Sequence, residues 1–409
     1  MRTANRSVGV LVGCLALVSA GSLVAQDWPQ WRGPHRDGKV SGFTAPQVWP
    51  KALAQKWRTT VGSGDATPAL VGDKLYVFTR QGEDEVILCL NAADGKELWQ
   101  DKYAAKPVTG PAARQHPGPR SSPTVAEGKV VTLGASGVVS CLDAATGKAL
   151  WRNEEFKGVP RFFTSMSPIV VDGMAIVQLG GPGDGTTVAF DLASGKPKWK
   201  WAGDGPGYAS PVLMTVEGTK QIVTLTEKSV VGLGVADGKV LWQIPFAPRG
   251  MAYNAATPII EGQTVIFTGQ GRGTKAVKVE KQGDGFAAKE LWSNDQLAPQ
   301  FNSPVLKDGL LFGLTDRGFF FCINAETGTT AWTDQTSHGR GFCAIVDAGS
   351  VLLALPSNSE LIAIKPDGKQ YTELAKIKVS NTQTYAHPVV AGKRIFVKDQ
   401  EAVTVWSIE

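Results

Sequence analysis

Apolar residues along the chain fall into short runs rich in Val, Ile and Leu, broken at close intervals by Glu-Gly, Ser-Gly, Asp-Gly and Thr-Gly steps. One stretch shows the pattern. Thr124-Val125 begins a strand that Glu127-Gly128 turns, and Lys129 to Gly134 is a second, turned by Ser136-Gly137. Val138 to Leu142 is a third, Thr146-Gly147 turns again, and Lys148 to Arg152 is the fourth. Glycine takes the positive φ that tight hairpins need, so the pattern predicts four successive antiparallel strands. Beyond residue 25 no segment carries the apolar period of a helix.

The unit recurs. Ser, Thr or His followed by proline enters a strand at Pro68, Pro123, Pro168, Pro211, Pro258, Pro304 and Pro388, and Ala344 stands where one further proline is missing. These eight anchors are spaced at about 46 residues, the length of a four-stranded propeller blade. A second signal trails each anchor. Asn91 to Trp99, Asp143 to Trp151, Asp191 to Trp199, Gly234 to Trp242 and Asn324 to Trp332 share a Gly-Lys or Gly-Thr turn and a closing tryptophan. The copy ending at Trp292 has a longer turn, and the copy at Lys365 to Lys369 has lost its tryptophan.

The last unit, from His387-Pro388, holds only three strands, and the missing outer strand lies at the other end, around Trp57. Pairing the two ends removes two open edges. The fold predicted is all-β, an eight-bladed β-propeller over residues 51–409 with four antiparallel strands per blade. Its last blade is closed by the N-terminal strand around Trp57, and residues 26–50 form a strap before it.

Residues 1–25 change the picture of where the protein works. Arg2 and Arg6 precede an apolar run from Ser7 to Val24, and Ala25 offers a cleavage point, as in a secretory signal peptide. The expectation is export to the periplasm or cell envelope. Leu11-Val12-Gly13-Cys14 also has the form of a lipid-attachment box. Anchoring at Cys14 ranks second, because it would leave Leu15 to Val24 as an apolar mature end.

Charge excludes some functions. The 42 Lys+Arg and 37 Asp+Glu give a net charge of +5 with no dense basic stripe, so no nucleic-acid partner is expected. The four histidines are scattered, and no metal site is expected. Cys89, Cys141 and Cys322 occupy one equivalent position on separate blades, too far apart to bridge, and Cys343 has no evident partner, so free thiols are expected. Asn91, Asp143, Asp191 and Asn324 each sit in their own turn, where a short polar side chain bonds local backbone. The glycine-rich stretches 180–185 and 269–273 lead into strands, which makes them hairpin turns and not phosphate loops.

The repeated [Ala/Cys]-x-[Asp/Asn]-x-x-[Thr/Ser/Asp]-Gly-Lys-x-x-Trp pattern resembles the tryptophan-docking motif of the pyrroloquinoline-quinone (PQQ) repeat, found in quinoprotein-like eight-bladed propellers. The resemblance covers roughly residues 50 to 409. It implies that Trp57, Trp99, Trp151, Trp199, Trp242, Trp292 and Trp332 are structural, each packing onto the next blade. Asp27 to Pro34, with Arg36-Asp37-Gly38, resembles the N-terminal strap of exported family members. Two kinds of relative imply two functions. PQQ dehydrogenases hold the quinone and a calcium ion in the central channel beside two adjacent cysteines; this chain has no adjacent cysteines, and its one sizeable insertion is Asp101 to Arg120. The propeller scaffold of the outer-membrane β-barrel assembly machinery uses no cofactor, and this chain is closer to it.

The function expected is therefore a non-catalytic binding or scaffolding module, a monomer with no catalytic residue and no cofactor. The alternative is a PQQ- and calcium-dependent alcohol or sugar oxidoreductase. Residues just before each anchor fall at one mouth of the central channel: Arg120, Phe163, Tyr208, Tyr253, Asn254, Phe301, Asn302, Arg340, Phe342, Tyr385 and His387. Aromatic rings with a few polar groups converging there suit an envelope protein or peptide, or a small molecule. The insertion, with Lys106, Arg114 and His116, reads as a solvated loop with some capacity for an acidic partner.

Overall fold

A computed structural model describes residues 27–409 apart from Lys157, Met251, Asp284 and Arg340; the leader and the Cys14 alternative lie outside the described residues. Eight four-stranded antiparallel sheets follow one another around a ring. They span residues 69–104, 124–153, 169–201, 212–245, 259–294, 305–333 and 343–378, and the eighth joins 389–407 to the N-terminal strand Ala54–Thr60. That strand pairs with Ala402–Ser407, Trp57 facing Val405, so the ring closes through main-chain hydrogen bonds as the sequence predicts.

Burial follows position in the blade. In blade one the second strand, Lys74–Gln81, and the third, Asp84–Asn91, are buried on both faces because each blade is sandwiched between two others. Such strands read as continuous apolar runs. The outer strand Glu97–Ala104 is largely exposed.

Where the third strand meets the outer one, the register shifts at the same place in every blade with a closing tryptophan. In six blades the residue opposite the indole is small: Cys89 faces Trp99, Cys141 faces Trp151, Ala189 faces Trp199, Gly232 faces Trp242, Ala276 faces Trp292 and Cys322 faces Trp332; in the closing blade Val405 faces Trp57. Cysteine there serves as a compact, buried apolar residue. The four described cysteines are unpaired and buried. Burial pushes the thiols of Cys89, Cys141 and Cys322 up to about 12, so they stay protonated.

The indoles reach the neighbouring blade. Nε1 donates to Ala92 O from Trp57, to Leu192 O from Trp151, to Val235 O from Trp199, to Ala325 O from Trp292 and to Asp367 O from Trp332. Several rings lie over a turn glycine of that blade; a Cβ on Gly195, whose φ is +70°, would come within 2.6 Å of Trp151. Trp242 differs. Its Nε1 donates to Gln221 of its own blade at 2.7 Å, because the next blade carries long strands, Gly273–Gln282 and Gly285–Asn294, in place of the short turn.

The strap crosses the axis. Trp28 exchanges two main-chain hydrogen bonds with Leu70, Pro29 O accepts from Val125 N, and Val40 N donates to Asp347 O. Arg32, fully buried, donates through Nη2 to Pro304 O; Arg36 donates through Nη1 to Pro168 O and through Nη2 to Ser167 O. Trp31 Nε1 donates to Thr257 Oγ1. The strap thus ties blades one, two, three, five, six and seven together across the channel. Beside it runs a belt of residues that precede the anchor prolines. Thr67 N donates to Ser122 Oγ, Ser122 N to Ser167 Oγ, Ser167 N to Ser210 Oγ, Thr257 N to Ser303 Oγ and His387 N to Thr67 Oγ1.

His387 is buried in that belt, its ring edge-on to Trp31 with centroids 4.6 Å apart. Burial, aided by the nearby Arg32 charge, lowers its pKa to about 3.

Two outcomes test this packing. Trp151→Ala should cost about 3–5 kcal/mol in a denaturant or thermal melt, and Gly195→Ala about 1–2 kcal/mol or more, since both loosen one blade contact. The second concerns pH. Folded His387 stays neutral down to about pH 3, whereas an exposed imidazole protonates near 6.5. The unfolded chain binds more protons between those values, so stability is lost as pH falls through that window. Melts of the His387→Gln variant should show a shallower loss between pH 6 and 4 than the parent protein; equal slopes would disprove the assignment.

Candidate functional site

With the strap as its floor, the channel becomes a funnel open at one end, a cavity of about 390 Å³. Its wall is set by one register. The third residue before the anchor proline lines it in seven blades: Asp65, Arg120, Ser165, Tyr208, Ala255, Phe301 and Tyr385. The inner strands converge on the axis, so residues entering them at equal offsets form a ring.

Aromatic side chains make a continuous arc around most of that wall. Phe162 contacts Tyr208 and Tyr253, with centroids 6.4 and 5.2 Å apart. Tyr253 stacks on Phe301 at 5.8 Å, Phe301 on Phe342 at 4.2 Å, and Phe342 meets Tyr385 edge-on at 4.9 Å. Tyr385 then meets His116 edge-on at 4.6 Å. Burial raises the phenol pKa of Tyr208, Tyr253 and Tyr385, so these rings stay neutral. Tyr208 OH accepts from Phe162 N, and Tyr385 OH donates to Gln383.

The wall also carries polar groups. His116 Nδ1 and Asp65 Oδ2 are 2.6 Å apart. Arg120 Nη2 donates to His116 O at 2.9 Å and Nη1 donates to Phe162 O, while its buried Nε has no partner. Desolvation lowers the Arg120 pKa, the Asp65 charge opposing that shift. The insertion after blade one supplies His116, Gln115 and Pro111, the last in a short 3₁₀ turn, Gly110–Arg114, and these lean over the mouth. That loop is therefore part of the wall. Among the described residues no cluster of His, Cys, Asp and Glu is arranged to hold a metal ion.

Arg120, Tyr208, Tyr253, Phe301, Phe342 and Tyr385, singled out in the sequence, do line the funnel. Four others need correction. Phe163 sits at a bend with φ +65°, and its neighbour Phe162 faces the cavity instead. Asn254 is buried between blades, Nδ2 donating to Thr226 O and Phe246 O and Oδ1 accepting from Arg272. Asn302 bonds both main-chain groups of Leu314, and His387 lies under the floor against Trp31. An amide at these positions satisfies backbone that the strands leave open. Arg340 lies outside the described residues. Trp31, Asp65, Phe162 and Ser165 were missed. A strict offset of three from the anchor finds Asp65 and Ser165; Trp31 and His116 belong to segments outside the repeat and carry no such signal.

Comparison with known proteins agrees with this architecture. The PQQ-repeat family described as outer membrane protein assembly factor BamB matches residues 83–334, more than half of the chain. The BamB of Burkholderia pseudomallei is 25% identical over 353 residues, covering 77% of this chain and 88% of its own. The crystal structure of BamB from Moraxella catarrhalis superposes with a TM-score of 0.66 at 16% identity, over 87% of this chain and all of that one. The quinohemoprotein alcohol dehydrogenase from Comamonas testosteroni superposes with a TM-score of 0.69 at 16% identity, over 94% of this chain and 81% of that one, a likeness of fold alone. A repeat register that closes into eight blades, a strap across the axis and a match over most of those blades lead to one conclusion: the chain belongs to the BamB family of PQQ-repeat propellers.

Proposed function

We propose that this protein is an exported, non-catalytic binding and scaffolding propeller of the cell envelope, with the funnel and the loops around its mouth as the binding surface. The observation that carries this reading is the funnel itself: a single-mouthed, aromatic-walled cavity held by a closed ring and a pinned strap. A rigid ring presents such a surface at little ordering cost. Relatives described as outer membrane protein assembly factors supply the setting, an envelope protein as partner. Export follows from the leader at 1–25, with the mature chain in the periplasm as a monomer; lipid attachment at Cys14 remains the second route. The seven closing tryptophans are read as the structural girdle that keeps the surface rigid.

The PQQ-dependent oxidoreductase reading is the weaker one. Cys89, Cys141, Cys322 and Cys343 stand on four different blades, so the chain offers no vicinal pair to clamp a quinone.

Two measurements separate the readings. Purified mature protein mixed with PQQ and calcium, then desalted, should carry no quinone absorbance and oxidise no alcohol with an artificial dye. Retained quinone with turnover would reverse the ranking. A photo-crosslinking residue at Gln115, at the mouth, should give a discrete envelope adduct in cells, while one at Leu291 on an exposed outer strand should not; the opposite pattern would move the binding surface to the blade edges.

A further inference from the structure

The strap also pairs, as an extended chain, with inner strands of the ring. In blade one Leu70 N donates to Trp28 O and Trp28 N to Leu70 O; in blade two Val125 N donates to Pro29 O. In blade seven Asp347 N donates to Gly38 O, and Val40 N to Asp347 O. Hairpin register explains which residues are used in the first two. Gly72-Asp73 and Glu127-Gly128 are two-residue turns closed by the pairs Val71–Lys74 and Ala126–Lys129. The closing pair of such a turn exchanges both main-chain hydrogen bonds, and bonded and non-bonded pairs alternate along the hairpin. Leu70 and Val125, one residue before the closing pair, therefore turn N–H and C=O away from their hairpin and toward the axis.

Blade four has the same edge with no strap on it. Glu217-Gly218 is again a two-residue turn, closed by Val216–Thr219, so Met214 and Val212 bond within the hairpin. Leu213 and Thr215 direct their main-chain groups to the axial edge. Leu213 stands two residues after its anchor, Pro211, as Leu70 and Val125 stand after Pro68 and Pro123. Its strand, Val212–Val216, is two residues longer than theirs, which adds Thr215 as a second pairing position. Among the described residues nothing outside the hairpin bonds the main chain of Leu213 or Thr215. Both side chains are exposed, Leu213 by 40%. The other large apolar residues this exposed on a strand, Leu98, Leu150, Val240, Leu291 and Leu374, all lie on outer strands. Blade eight, which the strap does not bond either, buries its whole inner strand, Val389–Ala391.

We infer that this edge docks an extended segment of a partner polypeptide, which adds to blade four as the strap adds to blades one, two and seven. A strand complements such an edge, since its own N–H and C=O groups recur at two-residue spacing and an apolar side chain can cover Leu213. Recognition runs through the main chain, so the partner is an extended, proline-free stretch with alternating apolar residues. The site is separate from the funnel. Ser210, just before the anchor, lines the funnel, whereas Leu213 lies deeper along the strand and Thr215 about 7 Å further still.

The probe is the peptide acetyl-Lys-Val-Thr-Val-Thr-Val-Lys-amide, titrated into the mature protein with amide hydrogen exchange read by NMR. In the free protein the Leu213 and Thr215 amides should exchange at least about ten-fold faster than those of Val212, Met214 and Val216. Saturating peptide should slow the Leu213 and Thr215 amides selectively. The same peptide N-methylated at its five central residues loses the donors, and should bind at least about ten-fold more weakly. Thr215→Pro removes an edge N–H that the hairpin does not use, and should weaken peptide binding several-fold with the melt unchanged. If that variant fails to fold, Leu213→Asp, at an exposed side chain, should weaken binding likewise. The inference is overturned by equal affinity of the methylated peptide, by no binding of the unmodified one, or by protection around Phe162 and Tyr208 in place of Leu213 and Thr215; each leaves the funnel reading untouched. Protection of the two amides that needs no peptide and rises with protein concentration would give the edge to a second copy, and would also overturn it.

Discussion

A ring of blades leaves a hole at its centre, and buried main-chain carbonyls at the strand entrances, such as those of Pro304, Pro168 and Ser167, lie where the strap crosses it. Buried main-chain oxygens need donors, and water trapped in a narrow channel is a poor supply. Here the donors come from the chain's own strap. Arg32 and Arg36 extend guanidinium forks to the carbonyls of Pro304, Pro168 and Ser167, residues on opposite sides of the ring. A guanidinium carries five N–H groups in a fixed plane, which lets one side chain bond several strand entrances at once. The cost is unpaired positive charge in the interior. Burial draws the pKa of Arg32 down to about 10 and that of Arg36 to about 9, still far enough above neutrality for both to stay charged. The floor of the funnel and the positive charge buried in it follow from that single structural solution.

Closure at the rim works by different chemistry. The final sheet borrows Ala54–Thr60, so the ends of the ring are joined by a hydrogen-bonded ladder. Around the circumference, bulky indoles meet small residues in most blades: Cys, Ala or Gly opposite the ring and a left-handed glycine under it on the next blade. Large and small surfaces matched in this way let each blade lean on its neighbour without strain. Blade five shows the rule by breaking it. Its long strands remove the docking turn, and Trp242 finds Gln221 within its own blade instead.

Much of this was legible in the sequence because a repeat writes the same instruction many times. Each proline anchor, Asx turn and closing tryptophan is local, and eight copies make even degraded ones, such as the Ala344 anchor, readable. The borrowed strand could be read because the last unit was one strand short. What escaped is what happens only once. Arg32 meets Pro304 across 272 residues of sequence, and no period links the two. His116 reaches the funnel from an insertion that looks like a solvated loop. Residues three before an anchor, such as Arg120, Tyr208, Phe301 and Tyr385, lie on the funnel wall, whereas the positive φ at Phe163 and the buried amides of Asn254 and Asn302 take those residues off it.

Native-state amide hydrogen exchange tests most directly whether the strap is a fixed part of the ring. The amides of Trp28, Gly38 and Val40, which donate to Leu70, Arg32 and Asp347, should exchange as slowly as those of the inner strands, opening only when the whole propeller unfolds. Exchange of these three amides at the rate of a free tail, with the blades still protected, would mean that the channel is open at both ends and the funnel has no floor.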